Sequence, residues 1–110
     1  MQHNKQFFIS GIVDCIDKIE CYLKNIDSVE DFMNQKDTQD AVIVRLEMIG
    51  FAAKDMSPRF KKMYPNINWK QLAVTAKFLK ERYFDVDSKL VYQTAVYDMP
   101  KLKKSLMNLN

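Results

Sequence analysis

The sequence predicts an all-α protein, an antiparallel four-helix bundle with an additional short helix. Three observations carry that expectation. Only two Gly and three Pro interrupt 110 residues, apolar residues recur at spacings of three and four along most of the chain, and the joins between those stretches carry helix-capping residues. A chain of this length holds one hydrophobic core, so residues 1–110 are expected to form a single domain.

The first helix is expected from about Asn4 to Asn25. Phe8, Ile12, Ile16, Ile19, Leu23 and Ile26 share one face, widened by Cys15 and Tyr22, while Asp14, Asp17, Lys18 and Glu20 lie away from it. In SVED, Ser28 can cap a short turn and Asp31 can answer from its third position. A second long helix opens at Asp37 and continues to about Met56, burying Val42, Leu46, Ile49, Ala53 and Met56. Gly50 sits in the middle of it, where a neighbouring backbone can come close. In SPRFKKMYP, Ser57 reads as an N-cap, Pro58 as the first helical residue and Pro65 as the stop.

Asn68 followed by Gln71 marks another start. From there Trp69, Leu72, Ala76, Leu79 and Tyr83 run down one face. Asp87 caps the last helix, with Leu90, Val91, Ala95 and Leu102 as its apolar line, and Pro100 should kink or restart it near Met99. Leu102, Leu106 and Leu109 share one side of the tail.

Composition narrows the chemistry. No apolar run is long enough to span a bilayer, and MQHNKQFFISGIVDCIDKIE lacks the ordered regions of a signal peptide, so a cytoplasmic protein with no membrane partner is expected. Cys15 and Cys21 point in different directions on one helix and read as small buried hydrophobes in a reducing compartment. Charge is uneven: residues 1–56 carry 6 Lys/Arg against 10 Asp/Glu, and residues 57–110 carry 11 against 4. That asymmetry fits either self-association, an acidic partner or nucleic acid, or a mixed solvated surface once the helices fold together. His3 is the only histidine and lies where the chain frays, which removes His-based acid–base pairs, triads and metal sites. No Gly-rich phosphate loop and no Glu-x-x-His pair exists, and no cofactor or metal is expected. Asp37 and Asp40 read as cap and dipole partner at a helix start.

Two stretches carry more detail than a helix needs: DTQDAVIVRLEMIGFAAK (37–54) and YPNINWKQLAVTAKFLKERYFDVD (64–87), the latter followed by VYQTAVYDMPKLKKSL. In this order and spacing they resemble the HepT-like branch of the HEPN superfamily, over nearly the whole chain. The resemblance implies a HEPN-like helical bundle that forms a homodimer. It also implies a ribonuclease toxin paired with a minimal nucleotidyltransferase antitoxin.

The family's ribonuclease motif is an Arg, four residues, a His, then a small residue and a Tyr. Aligned on YFDVD, the Arg position is Ala76, the His position is Glu81 and the small residue is Arg82. Tyr83 matches the motif tyrosine, which in some family systems is modified with AMP. The second helix departs too, with Phe51 where the family has Glu and Val44-Arg45 where Arg-Asn is common. Metal-free RNA cleavage needs a base for the 2′-OH and a cation for the developing charge. Ala76 supplies neither, and an ordinary carboxylate at Glu81 is a weak base that repels phosphate.

Three functions are therefore weighed. The first is a catalytically silent, dimeric binding or regulatory protein of a toxin–antitoxin-type system. The second is a ribonuclease with a site rebuilt from Lys77, Glu81, Arg82 and Tyr83. The third is a non-cleaving RNA-binding module using Lys77, Lys80, Arg82 and Tyr83, with Tyr64, Trp69, Tyr83 and Tyr92 as stacking surfaces. Trp69 and Tyr83 lie on the apolar stripe, which favours core packing for both.

Overall fold

The computed structural model describes residues 5–82 and 85–107. Its elements are α1 (Lys5–Tyr22), α2 (Val29–Met33), α3 (Lys36–Asp55), α4 (Pro58–Lys62), α5 (Trp69–Glu81), α6 (Ser88–Gln93), a π-helical segment (Thr94–Asp98) and α7 (Met99–Met107). The expected all-α architecture holds, with no strand among the described residues.

The caps form as the residue types require. Ser28 Oγ accepts from the Asp31 amide at 3.1 Å, and Asp31 Oδ2 accepts from the Asp27 amide at 3.2 Å, one residue before the cap. Ser57 Oγ, Asn68 Oδ1 and Asp87 Oδ1 accept from the amides of Phe60, Gln71 and Lys89. The start of α3 differs from expectation: Gln35 is the N-cap and makes no side-chain cap bond, which leaves Asp37 in the first turn. Asp40 pairs with Lys36 at 3.3 Å.

The core follows the predicted stripes. Ile12, Ile16 and Ile19 of α1, Val42, Leu46, Ile49 and Ala53 of α3, and Trp69, Ala76 and Leu79 of α5 are buried. Cys15 is buried but Cys21 is exposed, so only the first is a core residue; both are free thiols. In the last helix Val91, Ala95, Met99, Leu102 and Leu106 are buried, while Leu90, expected inside, is 45% exposed. Pro100 explains the geometry here. In a regular α-helix its ring would strike the carbonyl four residues back. The chain widens by one residue instead, and the Met99 amide reaches Thr94 O, a five-residue π bond. The helix then restarts at Met99.

α3 is the central strut. It packs against α1 on one side and α5 on the other, and also meets α2 and α6. α5 leans chiefly on α3, so a cleft opens between α5 and the α6–α7 arm, lined by Gln71, Leu72, Asp98 and Met99. At the α3–α5 crossing a Cβ on Gly50 would run into Ala76 Cβ and come within 2.5 Å of Leu72 O. Two small residues thus bring the helices together, with Ala76 0% exposed.

Candidate functional site

The α3–α5 crossing sets out a groove on its outer side. Phe51 and Lys54 come from α3, and Lys70, Ala73, Val74, Lys77, Lys80 and Glu81 from α5; together they line a groove of about 630 Å³. Helical geometry explains the assembly. Lys70, Lys77 and Lys80 recur at seven and three residues along α5, so one face presents all three. Phe51 follows Gly50 on α3 and turns outward as Gly50 turns in, leaving the residue 39% exposed.

Four ammonium groups and one carboxylate face this groove. Lys77 Nζ stands 3.8 Å from Glu81 Oε1, an exposed i,i+4 pair. Lys80 Nζ lies 5.6 Å from the centroid of the Phe51 ring, within cation–π range. Lys80 also acts on Glu47 of α3: burial raises the Glu47 carboxyl above its ordinary value, and the Lys80 charge works against that rise. The groove is therefore cationic, with Phe51, Ala73 and Val74 as its apolar wall.

The residues singled out in the sequence distribute unevenly around it. Lys77, Lys80 and Glu81 line the groove, whereas Ala76 is sealed beneath it against Gly50. Arg82 lies at the end of α5 with its guanidinium 2.8 Å from Asp85 Oδ2 and 5.5 Å from the Phe78 ring centroid, outside the groove lining. Tyr83 and His3 lie outside the described residues. Among the proposed stacking surfaces, Tyr64 and Trp69 are buried with ring centroids 6.0 Å apart. Tyr92, half-buried, packs on Phe32 at 5.3 Å. None of these three lines the groove. Arg45 belongs to the opposite side of α3, where bonds to Tyr22 and Cys15 of α1 raise its pKa further.

Lys54 and Lys70 were not singled out in the sequence, because lysines on a helix read as solvated surface until a neighbouring helix makes them converge. Phe51 was marked there only as a departure from the family pattern. Among the described residues no group of three or more His, Cys, Asp or Glu could hold a metal ion, and no helix is long and apolar enough to cross a membrane. The groove can hold an anion. Among the described residues that line it there is no histidine and no arginine.

Comparison with known proteins gives a consistent family. The profile described as "Ribonuclease HepT-like" matches residues 12–109. A Thermococcus cleftensis protein named "Probable ribonuclease HepT" is 36% identical over 94% of this chain and 93% of its own length. A Methanocaldococcus jannaschii protein named "Gamma-glutamylcyclotransferase and putative RNase" is 35% identical over 99% of this chain, which spans about half (49%) of that relative. A second protein of that organism, named "Putative RNase", is 37% identical over 88% of this chain and 79% of its own length. No solved structure matches.

Proposed function

The chain belongs to the ribonuclease HepT-like family, and from that premise we propose that it is a catalytically silent member that works by binding. It would act as a dimeric regulatory protein in a toxin–antitoxin-type pair. The observation that carries this reading is the state of the two motif positions. Ala76 has no functional group and is packed against Gly50, and Glu81 is ion-paired with Lys77. The nearest guanidinium, Arg82, is engaged by Asp85. Acid–base groups ordinarily contribute about 10²–10⁴-fold to such a reaction, and this groove lacks the usual pair.

A site rebuilt from Lys77, Glu81, Arg82 and Tyr83 is the competing reading. Its difficulty is that Arg82 and Lys77 face different sides of α5, which turns about 100° per residue. The assay is incubation of structured and unstructured RNA with a large excess of purified protein. The expected result is intact RNA. Cleavage that disappears in Glu81→Gln or Arg82→Ala would overturn the proposal in favour of the rebuilt site.

Homodimerisation is part of the same reading. On the flank of α5 away from the lysines, Phe78 and Leu90 are exposed beside a cleft floored by Leu46, Leu79 and Val91. Exposed apolar surface of this kind suits a protein partner. The expected mass in solution is that of two chains. Co-expression with a minimal nucleotidyltransferase is expected to give a stable complex and an AMP adduct on Tyr83 by mass spectrometry; an unmodified Tyr83 in that complex would remove it as the target.

A further inference from the structure

We propose that the cleft between α5 and the α6–α7 arm is a binding site for an aliphatic amine, with Asp98 on the ammonium group and an apolar floor under the chain. The inference goes beyond the reading above and concerns the flank of α5 away from the lysines. Its basis is the lining of two adjoining hollows, of about 210 and 190 Å³, that share Leu46, Gln71, Thr75, Leu90 and Thr94. Leu46, Ile49, Leu79, Val91 and Met99 supply a buried apolar floor. Asp98 is the one charged residue in either lining. It is exposed, and its carboxylate makes no ion pair among the described residues.

The π-helical segment brings that carboxylate into line. Leu90, Thr94 and Asp98 all border the cleft, although eight residues of regular α-helix would carry the last about 80° past the first. From Thr94 to Asp98 the turn is wider, so four residues fall short of a full turn and cancel the overrun of the four before. The wall also offers acceptors. Thr94 Oγ1 donates to Leu90 O at 2.9 Å, and Gln71 Nε2 donates to Thr75 Oγ1 at 3.3 Å. The Thr94 hydroxyl has thus spent its hydrogen. An ammonium group, with three donors and no acceptor, suits what remains.

Leu90 and Asp98 stand about 12 Å apart along the helix, which gives room for a chain of several methylenes between floor and carboxylate. A second chain over the exposed Phe78 and Leu90 would close the apolar end and leave Asp98 open. A carboxylate on the same chain fits less well, since it meets the Asp98 charge first. Lys101 lies beyond, in the adjoining section with Asn66, Asn68 and Ser105. A neutral alcohol keeps the floor but gives up the ion pair, and an inorganic cation gives up the floor.

The test is an amide NMR titration of the full chain at neutral pH with n-butylamine, n-hexylamine, n-octylamine, n-octanol and octanoate. Expected are shifts at Gln71, Thr75, Thr94 and Asp98, and an affinity that rises about three- to fourfold per added methylene. Octylamine should bind more tightly than octanol, and octanoate least of all. Asp98→Asn should weaken octylamine about threefold, the scale of an exposed ion pair, and leave octanol unchanged. Thr75→Met, which fills the cleft without changing charge, should weaken amine and alcohol alike.

Equal binding of octylamine and octanoate, or no effect of Asp98→Asn, would overturn the amine assignment. Affinity independent of chain length, or shifts confined to residues outside the cleft, would overturn the site itself. The mass in solution, measured with and without octylamine, tests the homodimer separately. Single chains that still show these shifts would remove the dimer and leave the site standing.

Discussion

Gly50 and Ala76 decide how closely α3 and α5 approach, and their effect on stability runs against helix propensity. Gly50→Ala removes a flexible residue from the middle of a helix, which in isolation gains about 1 kcal/mol. Here the new methyl would meet Ala76 Cβ and Leu72 O, and overpacking of that kind costs about 1–3 kcal/mol. A net loss of stability is expected in urea unfolding; an unchanged or higher midpoint would refute the close contact. Ala76→Arg, which rewrites the motif position toward the family pattern, is expected to destabilise for the same reason and to leave RNA uncut. At Glu47 the prediction concerns pH. Burial holds its carboxyl above the ordinary value and Lys80 opposes the rise. A raised carboxyl favours the folded state below the ordinary pKa, and that contribution is lost as pH climbs through the raised one. Lys80→Ala should therefore move the Glu47 midpoint upward in a side-chain NMR titration, and a downward shift would contradict the assigned charge effect.

The elements are joined by a few polar residues whose roles emerge only when the helices meet. Gln39, buried in the first turns of α3, donates through Nε2 to Phe32 O at 2.8 Å and Met33 O at 2.9 Å, and its Oε1 accepts from Ser88 Oγ at 2.9 Å. It satisfies the end of α2 and ties it to the start of α6. Gln39→Leu is expected to cost about 1–3 kcal/mol, because the Phe32 carbonyl it leaves is buried and the Met33 carbonyl partly so; a loss well under 1 kcal/mol by denaturant titration would show that water replaces it. This glutamine was visible in DTQDAV as part of a family signature, but its partners lie in two other elements, so spacing alone gave it no role. Pro100 was legible as a disruption because its effect is local, although whether the chain would bend or widen depended on where α7 must bury Met99, Leu102 and Leu106.

Across the whole molecule, the unequal halves of the charge distribution are meshed at one point and left open at another. Lys103 of α7 meets Asp17 of α1 at 2.7 Å, and that bond, with Glu20 nearby, raises the Lys103 pKa. The lysines on α5 find only Glu81 among the residues of their groove. Packing is uneven as well, since α3 is supported on both sides and α5 leans on α3 alone among its extensive contacts. Amides of α5 are accordingly expected to exchange with deuterium before those in the middle of α3. Equal protection of the two would mean that α5 is held by something further, such as a second chain over Phe78 and Leu90.

The sequence by itself determined the helices, most of their caps, most of the buried stripe and the family, because each of these is written in short-range spacing and residue type. It also marked Ala76 and Glu81 as the positions where a ribonuclease would keep its working groups. Only the tertiary structure decided that Ala76 is sealed against Gly50, that Tyr64 is core, and that Lys54, Lys70, Lys77 and Lys80 line one groove with Phe51. The physical reason is the distance at which each effect acts. Caps and amphipathic periods are set within a few residues along the chain, whereas a groove is made by two helices whose separation depends on small side chains 26 residues apart in sequence.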